Sequence, residues 1–160
     1  MASEKLIKAL HKLRDEETTA SLQYMNHHAV FKNKNINVIS GYLEKAAIDE
    51  MKHAEVITDR MMDLGLDPGG YKVDPIPHWS LDLRESIQKN IDLEVEAIEL
   101  YNEAINICIE EKDHVTRQLL EPILNDEEEH KLQFELYLEI FDKIGSDKGL
   151  MGLMQILGQK

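Results

Sequence analysis

Four long stretches of this chain carry apolar residues at steps of three and four, and each of these stripes has a glutamate in it. The first reads Leu6, Leu10, Leu13, Glu17, Ala20, Tyr24, Phe31, and the second Ile39, Leu43, Ala46, Glu50, His53, Ile57, Met61, Leu64. The third reads Leu83, Ile87, Ile91, Glu94, Ala97, Tyr101, Ile105, Cys108, and the fourth Leu120, Ile123, Glu127, His130, Phe134, Leu138, Phe141. Such steps put each set on one face of an α-helix. The punctuation agrees. Ser3 is placed to cap a helix over about 3–32, which the Asn-rich run NKNIN at 33–37 ends. A second helix over about 38–64 stops at Gly65. Residues 66–79 contain Pro68, Pro75 and Pro77 with two glycines, too many breakers for a helix. Ser80 can cap a third helix over about 81–111, and Asp113 a fourth over about 114–144, which Gly145 ends. Ser146 can start a short fifth over about 147–157. Short links make helices one and two, and helices three and four, antiparallel neighbours. The long link lets the second hairpin return beside the first. The expected fold is all-α, a single domain over 1–160: a four-helix bundle with one long crossover between its second and third helices and a short C-terminal fifth helix.

The acids in the stripes are the informative part. One unpaired buried carboxylate costs several kcal/mol, and four in one core would exceed a stability of about 5–15 kcal/mol. Two divalent cations carry the four positive charges that balance four carboxylates. The sequence also repeats. Glu17 and Glu50 are 33 residues apart, as are Glu94 and Glu127. An offset of 77 carries Glu17, Ala20 and Tyr24 onto Glu94, Ala97 and Tyr101, and Asp49-Glu50-x-x-His53 onto Asp126-Glu127-x-x-His130. Two equivalent hairpins about a pseudo-twofold axis make a pocket with two equivalent metal positions, held by Glu17, Glu50, His53, Glu94, Glu127 and His130. Oxygen-rich sites with one imidazole per ion suit Fe(II), Mn(II) or Zn(II). Asp49 and Asp126 are placed to fix the second ring nitrogen of the histidines, each on the opposite hairpin.

Composition narrows the partners. A net charge of −13 offers no basic patch to a nucleic acid. The lone Cys108 sits on an apolar stripe, where an inert buried thiol is expected, and a reducing, cytoplasmic setting fits. No signal peptide and no run of about 20 apolar residues is evident, so no membrane is expected.

The segments DEETTASLQYMNHH, AAIDEMKHAE, IDLEVEAIELYNEAI and ILNDEEEHKLQFE resemble the four ligand segments of bacterioferritins, across essentially the whole chain. That resemblance implies a ferritin-like bundle in which Glu17 and Glu94 are terminal ligands, Glu50 and Glu127 bridges, and His53 and His130 one ligand for each iron of a di-iron centre. Four glutamates with two Glu-x-x-His runs are the known ligand set of ferritin-like di-iron and di-manganese proteins, so the match is recognition as well as derivation. It implies a ferroxidase that oxidises Fe(II) with O2 or H2O2 and stores the mineral in a homo-oligomeric cage of about 24 subunits built from dimers. Tyr24 matches a tyrosine beside the iron pair; it, and Tyr101 by symmetry, would donate an electron or a hydrogen bond. Met51, about 100° round the helix from Glu50, matches the methionine that ligates haem b between two subunits, although Thr18 and Ser21 make its neighbourhood rather polar.

Two rivals follow from the same residues. A rubrerythrin-like peroxidase fits the two tyrosines, but no Cys-x-x-Cys domain is present and Ala97 stands where an extra glutamate is expected. A non-catalytic divalent-metal-binding bundle fits the ligands equally well. A DNA-coating mini-ferritin fits poorly with the charge. Elsewhere, His11, His27, His28, His78 and His114 are expected at the surface, Glu128 and Glu129 in solvent, Trp79 as an anchor of the crossover, and Pro122 at a kink. The fifth helix, GLMGLMQIL, has no room in the four-helix core and would be sticky if exposed, which favours a subunit contact.

Overall fold

The computed structural model describes residues 2–74, 77–145 and 147–157. Pro75 of the crossover and Ser146, the expected start of the fifth helix, lie outside the described residues. Five helices follow in order: α1 (Glu4–Asn33), α2 (Asn37–Asp63), α3 (Leu83–Glu111), α4 (His114–Ile144) and α5 (Asp147–Leu157). No strand occurs among the described residues.

The helix ends follow local chemistry. Ser3 accepts the Leu6 N–H, and Asp113 accepts that of Thr116, so both cap as expected. Ser80 does not. The cap of α3 is Asp82, which accepts the Glu85 N–H, while the Ser80 hydroxyl accepts from the Asp82 N–H and donates to Glu85. A carboxylate two residues on competes successfully for the exposed amides, and α3 starts later than expected. Gly145 closes α4 at φ +70°, a left-handed conformation that costs glycine little. Pro122 lies within an α4 that runs on through it.

Helices α1 and α2 pack as one hairpin and α3 and α4 as the other; α1 meets α3, and α2 meets α4. The stripe residues are buried, with Leu64, Leu138 and Phe141 partly so. They form two separate apolar clusters. One holds Phe31, Ile39, Leu43, Ile87 and Phe134 at one end of the bundle, and the other holds Leu6, Leu10, Ile57, Cys108 and Leu120 at the opposite end. The glutamates and histidines of the stripes lie in the layer between.

Two expectations about the crossover fail. Trp79 is 55% exposed, not buried under the crossover as an anchor would be. His27 is fully buried rather than at the surface. Its Nε2 accepts the Ser80 N–H at 3.2 Å, which leaves Nδ1 to donate to Asn90 Oδ1 at 2.7 Å. Burial pushes its pKa down to about 4, so it stays neutral. Gln23 accepts the His78 N–H, and buried Arg14 donates to the Gly70 carbonyl. Polar side chains of α1 thus hold the crossover through its backbone, and no aromatic plug is needed. The fifth helix also finds more room than expected: it packs on α2 and α4 with Leu150 fully buried, and leaves Ile156 exposed.

Candidate metal centre

Each of the four long helices delivers one glutamate to the middle layer, and α2 and α4 add a histidine one turn later, on the same face. The six side chains form two overlapping quartets. Glu17, Glu50, His53 and Glu127 each offer a ligand atom within 4.8 Å of the others, and so do Glu50, Glu94, Glu127 and His130. Glu50 and Glu127 belong to both. His53 turns Nδ1 to the carboxylates, 2.9 Å from Glu50 Oε2, 3.0 Å from Glu127 Oε1 and 3.4 Å from Glu17 Oε2. His130 Nδ1 lies 2.8 Å from Glu50 Oε1.

These contacts do not satisfy the donors and acceptors. Glu17 Oε2, Glu50 Oε1, Glu127 Oε1 and His130 Nδ1 are buried with no aligned hydrogen bond, even where a partner is close. The His130–Glu50 approach is short but aimed off the line that a hydrogen bond requires. Unsatisfied polar atoms in a dry core are costly. Here they converge on shared space, which is the arrangement that cations would satisfy. The donor set, carboxylate oxygens with one imidazole nitrogen per quartet, fits borderline-hard divalent ions.

The electrostatics point the same way. Burial, then the charge of Glu127, pushes Glu17 well above the usual carboxylate range, and burial with Glu127 and Glu50 does the same to Glu94. Burial would also raise Glu127, but His130 and His53 hold it down at about 2. Burial would lower His130, yet Glu127 and Glu50 raise it to about 10; His53 is raised in the same way by Glu127, Glu17 and Glu50. Protons therefore carry the compensating charge when no cation does.

The tyrosines cross between hairpins. Tyr24 of α1 donates to Glu94 Oε1 of α3 at 2.5 Å, and Tyr101 of α3 donates to Glu17 Oε1 of α1. Burial raises both phenols well above their ordinary value, so both remain donors. Tyr101 fixes one oxygen of Glu17 and leaves Oε2 to His53 at 3.4 Å, whereas Tyr24 holds the same Glu94 oxygen that lies 3.7 Å from His130. Asp126 Oδ2 lies 3.3 Å from His53 Nε2, on the opposite hairpin. Asp49 is turned to Lys52 at 3.3 Å and Lys45 at 3.9 Å. Met51 points away from the cluster and is 56% exposed, beside an apolar groove of about 550 Å³ shared with Leu22, Met25 and Tyr71. The hydroxyls of Thr18 and Ser21 in that groove are spent on the carbonyls of Arg14 and Ala47, so the wall is less polar than its sequence.

Sequence reasoning missed two neighbours of the cluster. Tyr42 stacks edge-on against His130 at 6.3 Å between ring centroids. Glu16 is buried beside Glu17. No sequence signal marked Glu16; it belongs to a buried arc on α1, with Arg14, Thr19 and Gln23, that packing alone produces.

A family described as a ferritin-like domain matches residues 7–144. A bacterioferritin of Mycolicibacterium paratuberculosis is 31% identical over 140 residues, covering 88% of this chain and 87% of that protein. A bacterioferritin of Mycobacterium tuberculosis is 30% identical over 142 residues, covering 89% of each. A bacterial ferritin of Synechocystis sp. is 32% identical over 146 residues, covering 91% of this chain and 93% of that protein.

Proposed function

The chain belongs to the ferritin-like family, among relatives that are bacterioferritins, and from that premise we propose that it is a ferroxidase that stores iron. The observation that carries the reading is the pair of overlapping quartets that share Glu50 and Glu127. Fe(II) is the substrate: two ions each give up one electron to dioxygen or hydrogen peroxide and leave as Fe(III), which hydrolyses to mineral. Glu50 and Glu127 hold both ions, Glu17 with His53 completes one position, and Glu94 with His130 completes the other. Tyr24 and Tyr101 orient Glu94 and Glu17 through their hydrogen bonds, and Asp126 fixes the ring of His53. Asp49 lines one surface groove with His53, Asp126 and His130, and would serve His130 only by leaving Lys52 and Lys45.

The test is a stopped-flow mix of two Fe(II) per chain with aerated buffer. Ferric absorbance is expected to rise within seconds, far faster than in buffer alone. A protein that binds Fe(II) and leaves it reduced would be a metal store instead. Fast turnover with peroxide alone, and no mineral, would make it a rubrerythrin-like peroxidase.

Assembly belongs to the same reading. Leu22, Met25, Ile48 and Met51 are exposed apolar residues of the α1–α2 hairpin, and Ile156 is exposed on α5. These surfaces suit a homo-oligomeric cage of about 24 copies built from dimers. The setting is the cytoplasm, where reductants keep the substrate ferrous. Among the described residues no helix is long and apolar enough to cross a membrane.

Haem b, where bound, would be held in the Met51 groove by Met51 from each of two copies. The exposure of Met51 and the spent hydroxyls of Thr18 and Ser21 support this. Bound there, haem would supply a route for electrons. Protein purified with haem available is expected to show a Soret band that Met51→Ala abolishes; no band in the wild type would overturn the assignment.

A further inference from the structure

The pseudo-twofold fails at one buried position next to the cluster. The offset that carries Glu17 onto Glu94 carries Glu16 onto Leu93. Leu93 is an ordinary core leucine. Glu16 is only 2% exposed, and its Oε1 has no hydrogen-bond partner. An unpaired buried carboxylate costs several kcal/mol, so the leucine of the other hairpin is the residue that stability alone would select.

Glu16 does not face apolar packing. It forms part of the wall of a groove of about 650 Å³ between α1 and α3, with Asp15, Asp74, Glu96, Glu99 and Glu103. Lys8, His11 and Lys12 share the groove with these six acids, and Lys8 is already paired with Glu4 at 2.7 Å. On the inner side, the carboxylates of Glu17, Glu127 and Glu50 act on Glu16, and Glu96 acts on it as well. Glu16 therefore stands between an acid-walled groove open to solvent and the six-residue cluster. Unlike the exposed acids of that wall, Glu16 is buried, and its Oε1 is left without a hydrogen-bond partner.

We propose that Glu16 holds a third divalent cation on the α1–α3 side and hands it inward to Glu17. The acidic wall concentrates cations. Glu16 Oε1 and the Glu96 carboxylate bind the ion while water fills its remaining positions. Transfer to Glu17, one residue along α1, exchanges one carboxylate for another and needs no redox step. The proposal rests on the reading of the cluster as a two-ion site.

Co(II), which oxygen does not oxidise under these conditions, separates the two. Calorimetric titration of the metal-free full-length protein is expected to find three ions per chain in the wild type. Glu16→Leu, which installs the residue of the other hairpin, and Glu16→Gln, which keeps the shape, are each expected to bind two. The affinities of those two ions should change by less than about threefold, while the rate at which they load, followed by visible absorbance, falls about tenfold or more. Two ions in the wild type, or three in both variants, would overturn the third position and leave the cluster intact. No ions in the wild type would overturn the cluster reading, and this proposal with it.

Discussion

Glu50→Ala and Glu127→Ala are each expected to slow Fe(II) oxidation by about a hundredfold or more and to empty both inner ion positions together. Each carboxylate is common to the two quartets, so its loss takes a ligand from both ions. Outer partners of metal ligands already cost about 10–100-fold when removed, and a shared ligand should exceed that. Glu17→Ala and Glu94→Ala remove a ligand from one quartet only. Calorimetry with Zn(II) should then find one tight inner ion in either of these, and none in Glu50→Ala or Glu127→Ala. If Glu50→Ala keeps one tight ion just as Glu17→Ala does, the shared roles are wrong. In the metal-free protein Glu127→Ala should also unfold earlier than the wild type, because it leaves His53 and His130 without the carboxylate that pairs with both.

How much of this was legible before any coordinates depended on how local the physics is. The stripes and the 77-residue offset placed Glu17, Glu50, His53, Glu94, Glu127 and His130 in one layer, because helical periodicity and the cost of burying charge are both properties of the sequence. The structure brings those six together. What failed depended on packing beyond one helix. His27 occupies the step of the α1 stripe between Tyr24 and Phe31, and its polarity, not its position, argued for the surface; Glu16 lies one residue off the stripe, yet α1 is covered by α2, by α3 and by the crossover, so its buried arc is wider than a two-sided bundle requires. The cap of α3 went to Asp82, two residues beyond the expected Ser80, because which side chain reaches the first free amides is decided by geometry. The repeat also hid an asymmetry. Asp126 reaches His53, whereas Asp49 meets Lys45 and Lys52, two lysines of its own helix that have no counterparts one offset away: positions 122 and 129 are Pro and Glu.

Zn(II) is expected to raise the thermal midpoint of the metal-free protein by on the order of 20 °C near pH 8, and by progressively less toward pH 5. Each ion at about a thousand times its dissociation constant adds about 4 kcal/mol, and each kcal/mol is worth about 2–4 °C in a chain of this size. The direction with pH follows from the shifts. Glu17 and Glu94 are raised, so the folded metal-free chain holds their protons more tightly than the unfolded chain. Their effect favours folding below the ordinary carboxylate value near 4.5 and is lost as pH rises above it. His53 and His130 are raised as well; what they contribute is complete below about 6.5 and fades as pH climbs through about 10 for His130. Glu127 runs the other way, since its contribution is present above about 4.5 and is lost only as pH falls toward about 2. Between pH 5 and 8 the raised groups dominate, and the metal-free protein loses stability as pH increases. Over the same range the ligands shed the protons that compete with the ion, so binding strengthens. Both trends widen the gap between the two forms. Melting curves with and without Zn(II) across that range measure it directly, and a gap that stays constant or narrows with rising pH would show that protons and cations do not compete for these six side chains.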